Sequence, residues 1–162
     1  MIREGNQSDL HKLVIMWRSL DDHVSNVANN DFLKQRTDNY LNEIQKTLAD
    51  IIKRHNATVF VAENNQEIVG FCTAHVEEAP WFSATTGLIG SCWVEKEFRN
   101  RNIGSQLLAR SEKWLQKKEV FNIQVCWDKE NAKANSFWLA KGYNISQLRG
   151  TKKYDDEIKS NK

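Results

Sequence analysis

Little in this chain of 162 residues is extreme, and each shortage removes a class of answer. The three cysteines, Cys72, Cys92 and Cys126, are odd in number and lack metal-ligand spacing, so no disulfide framework and no metal site are expected. They read instead as reduced, buried small hydrophobes within strands. Proline occurs once, at Pro80, and no repeat, linker or low-complexity segment divides the chain. One domain over residues 1–154 is therefore expected, with a charged, frayed tail at 155–162. No apolar run reaches membrane-spanning length and the Met1–Asn6 start is polar, so neither anchor nor signal peptide is expected and the location reads as cytoplasmic. Net charge is 23 − 21 = +2, too small for a nucleic-acid or anionic-membrane footprint. The chain also lacks the phosphate loop ending Gly-Lys-Ser/Thr and the dinucleotide Gly-x-Gly-x-x-Gly.

What is present centres on residues 94–108. An apolar run, Gly87 to Val94, has strand length and composition, and Ile103, Leu107, Leu108, Trp114 and Leu115 recur at helical spacing. Between them lies a polar turn with Arg99, Asn100, Arg101, Asn102 and Gly104. A strand that breaks there and restarts as a helix leaves unpaired N–H groups at the helix start. With the helix dipole and two arginines, they make a cradle for a phosphate or pyrophosphate. Residues 95–119 carry seven Lys or Arg against four Glu, a local excess suited to a phosphate-bearing small ligand.

In chain order, Met1–Arg3 reads as an edge strand. A first helix is expected from Ser8 as N-cap, with Leu10, Leu13, Val14, Trp17, Leu20, Val24 and Val27 as its apolar stripe, interrupted by Asp21, Asp22 and His23. After a break at Asn26, Asn29 and Asn30, Asp31 is expected to cap a second helix running from Leu33 to about His55. Thr58–Ala62 and Ile68–Val76 form a hairpin across Asn64-Asn65, and 77–86 is a loop exposing Trp81 and Phe82. The strand at 87–94 and the helix at 103–118 follow, then a strand at 121–127 that should run parallel to 87–94. A short helix from Asn131 to Lys141 closes at Gly142, and 143–148 with 151–154 suggests a terminal hairpin.

The turn resembles motif A of the GNAT superfamily of N-acetyltransferases, Arg/Gln-x-x-Gly-x-Gly/Ala, with Arg99 first, Gly104 last and Asn102 in place of the first glycine. Asn tolerates positive φ better than other side chains, so the turn can survive. Asn131-x-x-Ala134-x-x-Phe137-Trp138-x-x-Lys141-Gly142-Tyr143 is similar to the family's C-terminal segment, and the hairpin 58–71 to its second and third strands. The resemblance implies an α/β (α+β) GNAT-like acyl-CoA N-acyltransferase fold, its mixed, mostly antiparallel sheet covered by helices on both faces. It also implies acetyl-CoA as donor and a primary amine as acceptor.

Carried over residue by residue, the resemblance assigns Cys92, Trp93 and Val94 to the pantetheine arm and the N–H groups of Arg99, Asn100, Arg101, Asn102, Ile103, Gly104 and Ser105 to the pyrophosphate. It assigns Asn131, Ala134 and Phe137 to the arm and Lys141 to a phosphate. The Cys92 backbone N–H becomes the oxyanion donor. Two departures stand out. Gly90 and Ser91 occupy positions where many members carry an acid, and Trp138 stands where many carry a tyrosine that protonates the leaving thiolate. Ser91 could relay a water, and His75, Glu77, Glu78, Asp21, Asp22 and His23 are candidate bases. Trp17, Asp21, Asp22, His23, Trp81, Phe82 and Trp138 are candidates for the acceptor side. The expectation is acetyl transfer to a small amine such as an amino sugar, polyamine or antibiotic, with a possible homodimer. Transfer to a protein N-terminus or lysine, and a non-catalytic acyl-CoA sensor, are the alternatives.

Overall fold

The computed structural model describes residues 1–27, 31–78, 81–147 and 149–150. Five strands, β1 (Ile2–Glu4), β2 (Ala57–Asn64), β3 (Glu67–Glu77), β4 (Thr86–Val94) and β5 (Asn122–Val125), lie side by side in sequence order. The first three pairings are antiparallel, while β4 and β5 are parallel because α3 (Ile103–Gln116) crosses between them. The remaining helices are α1 (Leu10–Val27), α2 (Tyr40–Lys53) and α4 (Ala132–Ala140). This is the mixed, mostly antiparallel sheet the sequence resemblance implies.

Alternation along the strands divides the core in two. Val59, Val61 and Phe71 face Leu13 and Met16 of α1 and Ile44 and Leu48 of α2. Phe60, Ala62, Cys72, Ala74 and Ile89 face Leu107, Leu108 and Leu115 of α3, with Trp138 of α4 beside them. Helices thus cover both faces, and β2 reads as a continuous apolar run because neither of its faces meets water. The β2–β3 turn is tight: Asn65 and Gln66 both take positive φ, 49° and 66°, as a two-residue hairpin requires.

Several boundaries depart from the sequence reading. Asn6, not Ser8, caps the first helical turn: its side chain accepts from the Ser8 N–H, and Asp9 accepts from the Asn6 N–H. Asp21, Asp22 and His23 do not interrupt the first helix, which runs on to Val27. Leu33 lies in a separate 3-10 turn, Asp31–Lys34, and α2 begins only at Tyr40. Cys126 falls outside β5 and is exposed, because the strand stops at Val125. Residues 143–147 form no strand, so the first half of the expected terminal hairpin is absent. Asn29, Asn30, Pro80, Leu148, the second half of that hairpin at 151–154 and the tail at 155–162 lie outside the described residues.

Candidate functional site

The site begins with a defect in β4. Cys72 pairs with Cys92 and Ala74 with Ile89, so Thr73 alone opposes both Gly90 and Ser91, a β-bulge. The bulge is pinned by a side chain: the Ser91 N–H donates to Thr73 Oγ1 at 2.8 Å. Pairing with β5 ends in the same place, at Ile89 opposite Val125. Beyond it β4 continues to Val94 without β5 beside it, so the sheet splays.

Alternation fixes which way the amides of this free stretch point. Glu95 N–H donates to the Val69 carbonyl of β3 and Ser91 N–H to Thr73, both toward β3. Trp93 N–H shares that direction, and the N–H groups of Cys92 and Val94 point the opposite way, into the splay. Two donors aligned along an open strand edge suit the amide-rich arm of a CoA thioester. The Cys92 thiol is not free to act there. Its hydrogen bond with Cys72, and then burial, push it well up, so it stays protonated and is no nucleophile.

β4 leads into the turn before α3. Asn100 and Asn102 both adopt left-handed conformations, with φ of 61° and 62°. Asparagine is the side chain that accepts such φ at least cost, so Asn102 holds the place of a glycine without breaking the turn. The first N–H groups of α3 have no intrahelical carbonyl to meet and form the end of the cradle. Arg99 is tied back: its Nε donates to the Val94 carbonyl at 2.9 Å and its guanidinium lies 4.4 Å over the Trp93 ring. Arg101 rests on Phe98.

The α3 start, the β4 end and α4 meet at Gly104. A Cβ there would lie 3.7 Å from Phe137 and 3.8 Å from Val94. Lys141 Nζ is 5.9 Å over the Phe137 ring, on the α4 side of this corner. Asn131 is buried and caps α4, its Oδ1 accepting from the Ala134 N–H at 3.2 Å. Ala134 packs on the same core as Ile103; Ser105 sits in the first turn of α3. The Cys92 and Val94 N–H groups, the start of α3 and Phe137 thus lie around one corner, whereas the Trp93 N–H turns toward β3 and the Arg99 N–H donates to the Lys96 carbonyl.

The acceptor candidates separate. His23 of α1 meets Trp93 edge-on, and burial first, then the positive charge of Arg99 and Lys133, hold its pKa below the ordinary 6.5. Asp21 accepts from the Tyr40 hydroxyl at 2.5 Å, burial raising its pKa, and Asp22 pairs with Arg36 at 2.7 Å. Both acids are thereby engaged in joining α1 to α2 and to the segment just before it. Beside them Trp17, Phe32, Arg36 and Tyr40 line a shallow cavity of about 280 Å³. Trp17 stacks on Phe71 and serves the core.

His75 shares a face with Thr73 but stands opposite Leu88, roughly 7 Å farther along β3, and exposed Glu77 stands opposite Thr86, roughly 13 Å along. The fold does not bring either carboxylate or imidazole to Cys92. Glu78 follows the strand and is exposed. Trp81 and Phe82 are 78% and 70% exposed in the loop leading to Thr86, at the end of β4 away from the cradle. Trp138 is a correction: only 6% exposed, it is packed by Trp127, Phe137 and Tyr143 and cannot touch an acceptor. Thr73 went unremarked in the sequence, although Gly90 inside a strand pattern is a bulge signal that pointed to it.

No group of three His, Cys, Asp or Glu that could hold a metal occurs among the described residues, and no helix among them is long and apolar enough to cross a membrane. Residues 22–143 match the Acetyltransferase (GNAT) family. No curated protein matches the chain in sequence. Among solved structures it is similar to a transcriptional regulator from Bacillus halodurans, 22% identical at a TM-score of 0.73, covering 95% of this chain and 99% of that one. It is also similar to an aminoglycoside acetyltransferase from an uncultured soil metagenomic sample in complex with sisomicin, 21% identical at a TM-score of 0.69 over 96% and 95% of the two chains. A third is the aminoglycoside N-acetyltransferase AAC(6')-Iy in complex with CoA, 18% identical at a TM-score of 0.70 over 95% and 93%. At such identities the structures speak for the fold. The family match spans most of the chain and contains the bulge, the splay and the left-handed turn: this chain belongs to the GNAT acetyltransferase family.

Proposed function

We propose that the protein is an N-acetyltransferase that moves the acetyl group of acetyl-CoA to the primary amine of a small molecule, by direct attack within a ternary complex. The observation that carries this reading is the β4–β5 splay, with the Cys92 and Val94 N–H groups turned into it and the left-handed turn before α3 at its end. The amine nitrogen adds to the thioester carbonyl carbon, a C–N bond forms and the C–S bond breaks. The Cys92 N–H meets the charge developing on the carbonyl oxygen. The ammonium proton passes to water or to His23, which its surroundings keep neutral. A CoA thiol is acidic enough to depart as thiolate, so a tyrosine is dispensable. A covalent acetyl-cysteine route is disfavoured, because the Cys92 thiol is held protonated.

A small acceptor is favoured by the site's position beside α1, where His23 meets Trp93. The likeness to aminoglycoside acetyltransferases is consistent with such an acceptor. A polycationic one finds few free acids here, since Asp21 and Asp22 are already engaged. A second reading, an acyl-CoA-binding domain without turnover, is motivated by the glycine at position 90 and by the burial of Trp138.

Calorimetric titration with acetyl-CoA, on the wild type and on Arg99→Ala, Gly104→Trp, tests the donor site. Micromolar binding that vanishes in the variant supports it, and no binding by the wild type overturns the reading. Thiol release over a broad panel of amines then divides enzyme from sensor.

A further inference from the structure

We infer that Thr73 is the positioning residue that aims the Cys92 N–H into the splay, by clamping the two peptide groups of the β4 bulge with its hydroxyl. The inference rests on the acetyltransferase reading and adds to it a residue on the neighbouring strand.

Thr73 is 3% exposed and faces the two bulged residues by itself. Its Oγ1 accepts from the Ser91 N–H at 2.8 Å and lies 3.5 Å from the Ser91 carbonyl oxygen, in the direction of donation. The first contact orients the Gly90–Ser91 peptide. The second concerns the Ser91–Cys92 peptide, whose carbonyl and N–H point in opposite directions because the group is planar and trans. With the Ser91 carbonyl turned to Thr73, the Cys92 N–H is turned away from β3, toward the place of the thioester. In a regular ladder a backbone group of β3 would do this work. At the bulge one residue opposes two, and the hydroxyl takes over the lost bond.

Gly90 is the complement of Thr73. A Cβ at position 90 would fall 2.6 Å from Thr73 Oγ1, closer than atoms approach, so the hydroxyl fills the space that a side chain at 90 would occupy. The absence of an acid at that position is thus coupled to the threonine across from it. A bulge that is held by one buried hydroxyl is a preorganised donor, and preorganisation matters most where charge develops in the transition state.

The test compares Thr73→Val, which keeps the shape and loses the hydroxyl, with Thr73→Ser, which keeps the hydroxyl. Valine is expected to lower kcat roughly 10- to 100-fold, short of or equal to the loss of an oxyanion donor itself, and serine to restore most of it. Acetyl-CoA affinity should stay within about twofold in both, since the effect falls on the transition state. Equal kcat for valine and wild type, or equal losses for valine and serine, overturn the inference. An amide NMR readout stands apart from turnover. The Cys92 N–H resonance should shift on adding acetyl-CoA to the wild type and Thr73→Ser, and much less in Thr73→Val. If no amine is acetylated, the enzyme reading fails and this resonance alone decides. A shift of the same size in the valine variant, or none in the wild type, overturns the positioning role. Gly90→Ala supplies a further check should valine unfold the chain. It should perturb the same resonance, and Gly90→Ala, Thr73→Ala should relieve the clash without restoring the shift.

Discussion

His23 stands edge-on to Trp93, ring centroids 5.5 Å apart at an interplanar angle of 61°. The contact joins the C-terminal half of α1 to the strand residue that follows the candidate oxyanion donor. Arg99 covers the same indole, 4.4 Å above it, so the imidazole lies in a positive, partly buried corner. Burial, then Arg99 and Lys133, favour its neutral form, so it is a free base at pH 7. Protonation should stop it from taking the amine's proton, and kcat/KM should fall on the acid side, with a midpoint below 6.5. His23→Gln should lower kcat/KM about 100-fold at pH 7 and remove that limb. A pH–rate profile checks both. An unchanged acid limb in the variant would return the proton to water or to the substrate amine itself.

How much of this was legible in the sequence depends on the range of the interactions. The turn at 99–104 was legible because its signals are local: a strand composition ends, polar residues intervene and a helical period begins. The left-handed Asn102 followed from the residue's own tolerance of positive φ. The bulge has one local sign, Gly90 inside a strand pattern, but its clamp is not local: the Thr73 hydroxyl on β3 meets the Ser91 N–H eighteen positions away in sequence. Trp138 has core and the acceptor side as alternatives in the sequence, and its contacts with Trp127 before α4 and Tyr143 after it decide for core. Asp21 and Asp22 looked like a free acidic pair, and only the packing of α1 on Tyr40 and Arg36 engages them.

Gly104 offers a test of the cradle that leaves the fold in place. A Cβ there would meet Phe137 and Val94 at ordinary contact distance, so Gly104→Ala should keep its melting temperature, or gain slightly from helix propensity. Alanine also stands at this place in motif A, so acetyl-CoA should bind Gly104→Ala within about twofold of the wild type. Calorimetry beside thermal denaturation separates the two effects. A larger loss, tenfold or about 1.4 kcal/mol, would mean that the acyl-CoA touches the Cα of Gly104 itself.

Arg3, Asp9 and Glu63 join β1, the first helical turn and β2. Arg3 donates two hydrogen bonds to Asp9, at 2.7 and 2.9 Å, and reaches Glu63 at 2.6 Å. The Arg3 guanidinium holds the Asp9 carboxyl below its usual value despite burial. A carboxylate lowered in the folded state stabilises above its unfolded pKa, near 3.9, and that contribution is lost as pH falls through the folded value. Asp9→Asn should cost about 2 kcal/mol at pH 7, and the acid limb of stability should become shallower. Denaturation at pH 7 and at pH 3 checks the sign: the gap between wild type and variant should shrink at the lower pH.

Trp138 occupies the position where family members often carry a tyrosine, which invites the substitution Trp138→Tyr. Its burial argues against any gain. The indole stacks on Trp127 at 6.4 Å and meets Phe137 and Tyr143 edge-on, so a phenol placed there would point into the core. It would have to leave its hydroxyl unpaired or displace those rings to find a partner, at a cost of about 1–3 kcal/mol. Stability should therefore fall while kcat stays flat or drops, and Trp138→Ala should cost roughly 3–5 kcal/mol through the cavity it opens. A rise in kcat with an alkaline limb near the phenol's pKa would mean that this side chain can swing to the thiolate. That result would also reassign the Trp127–Trp138–Tyr143 cluster from core to active site.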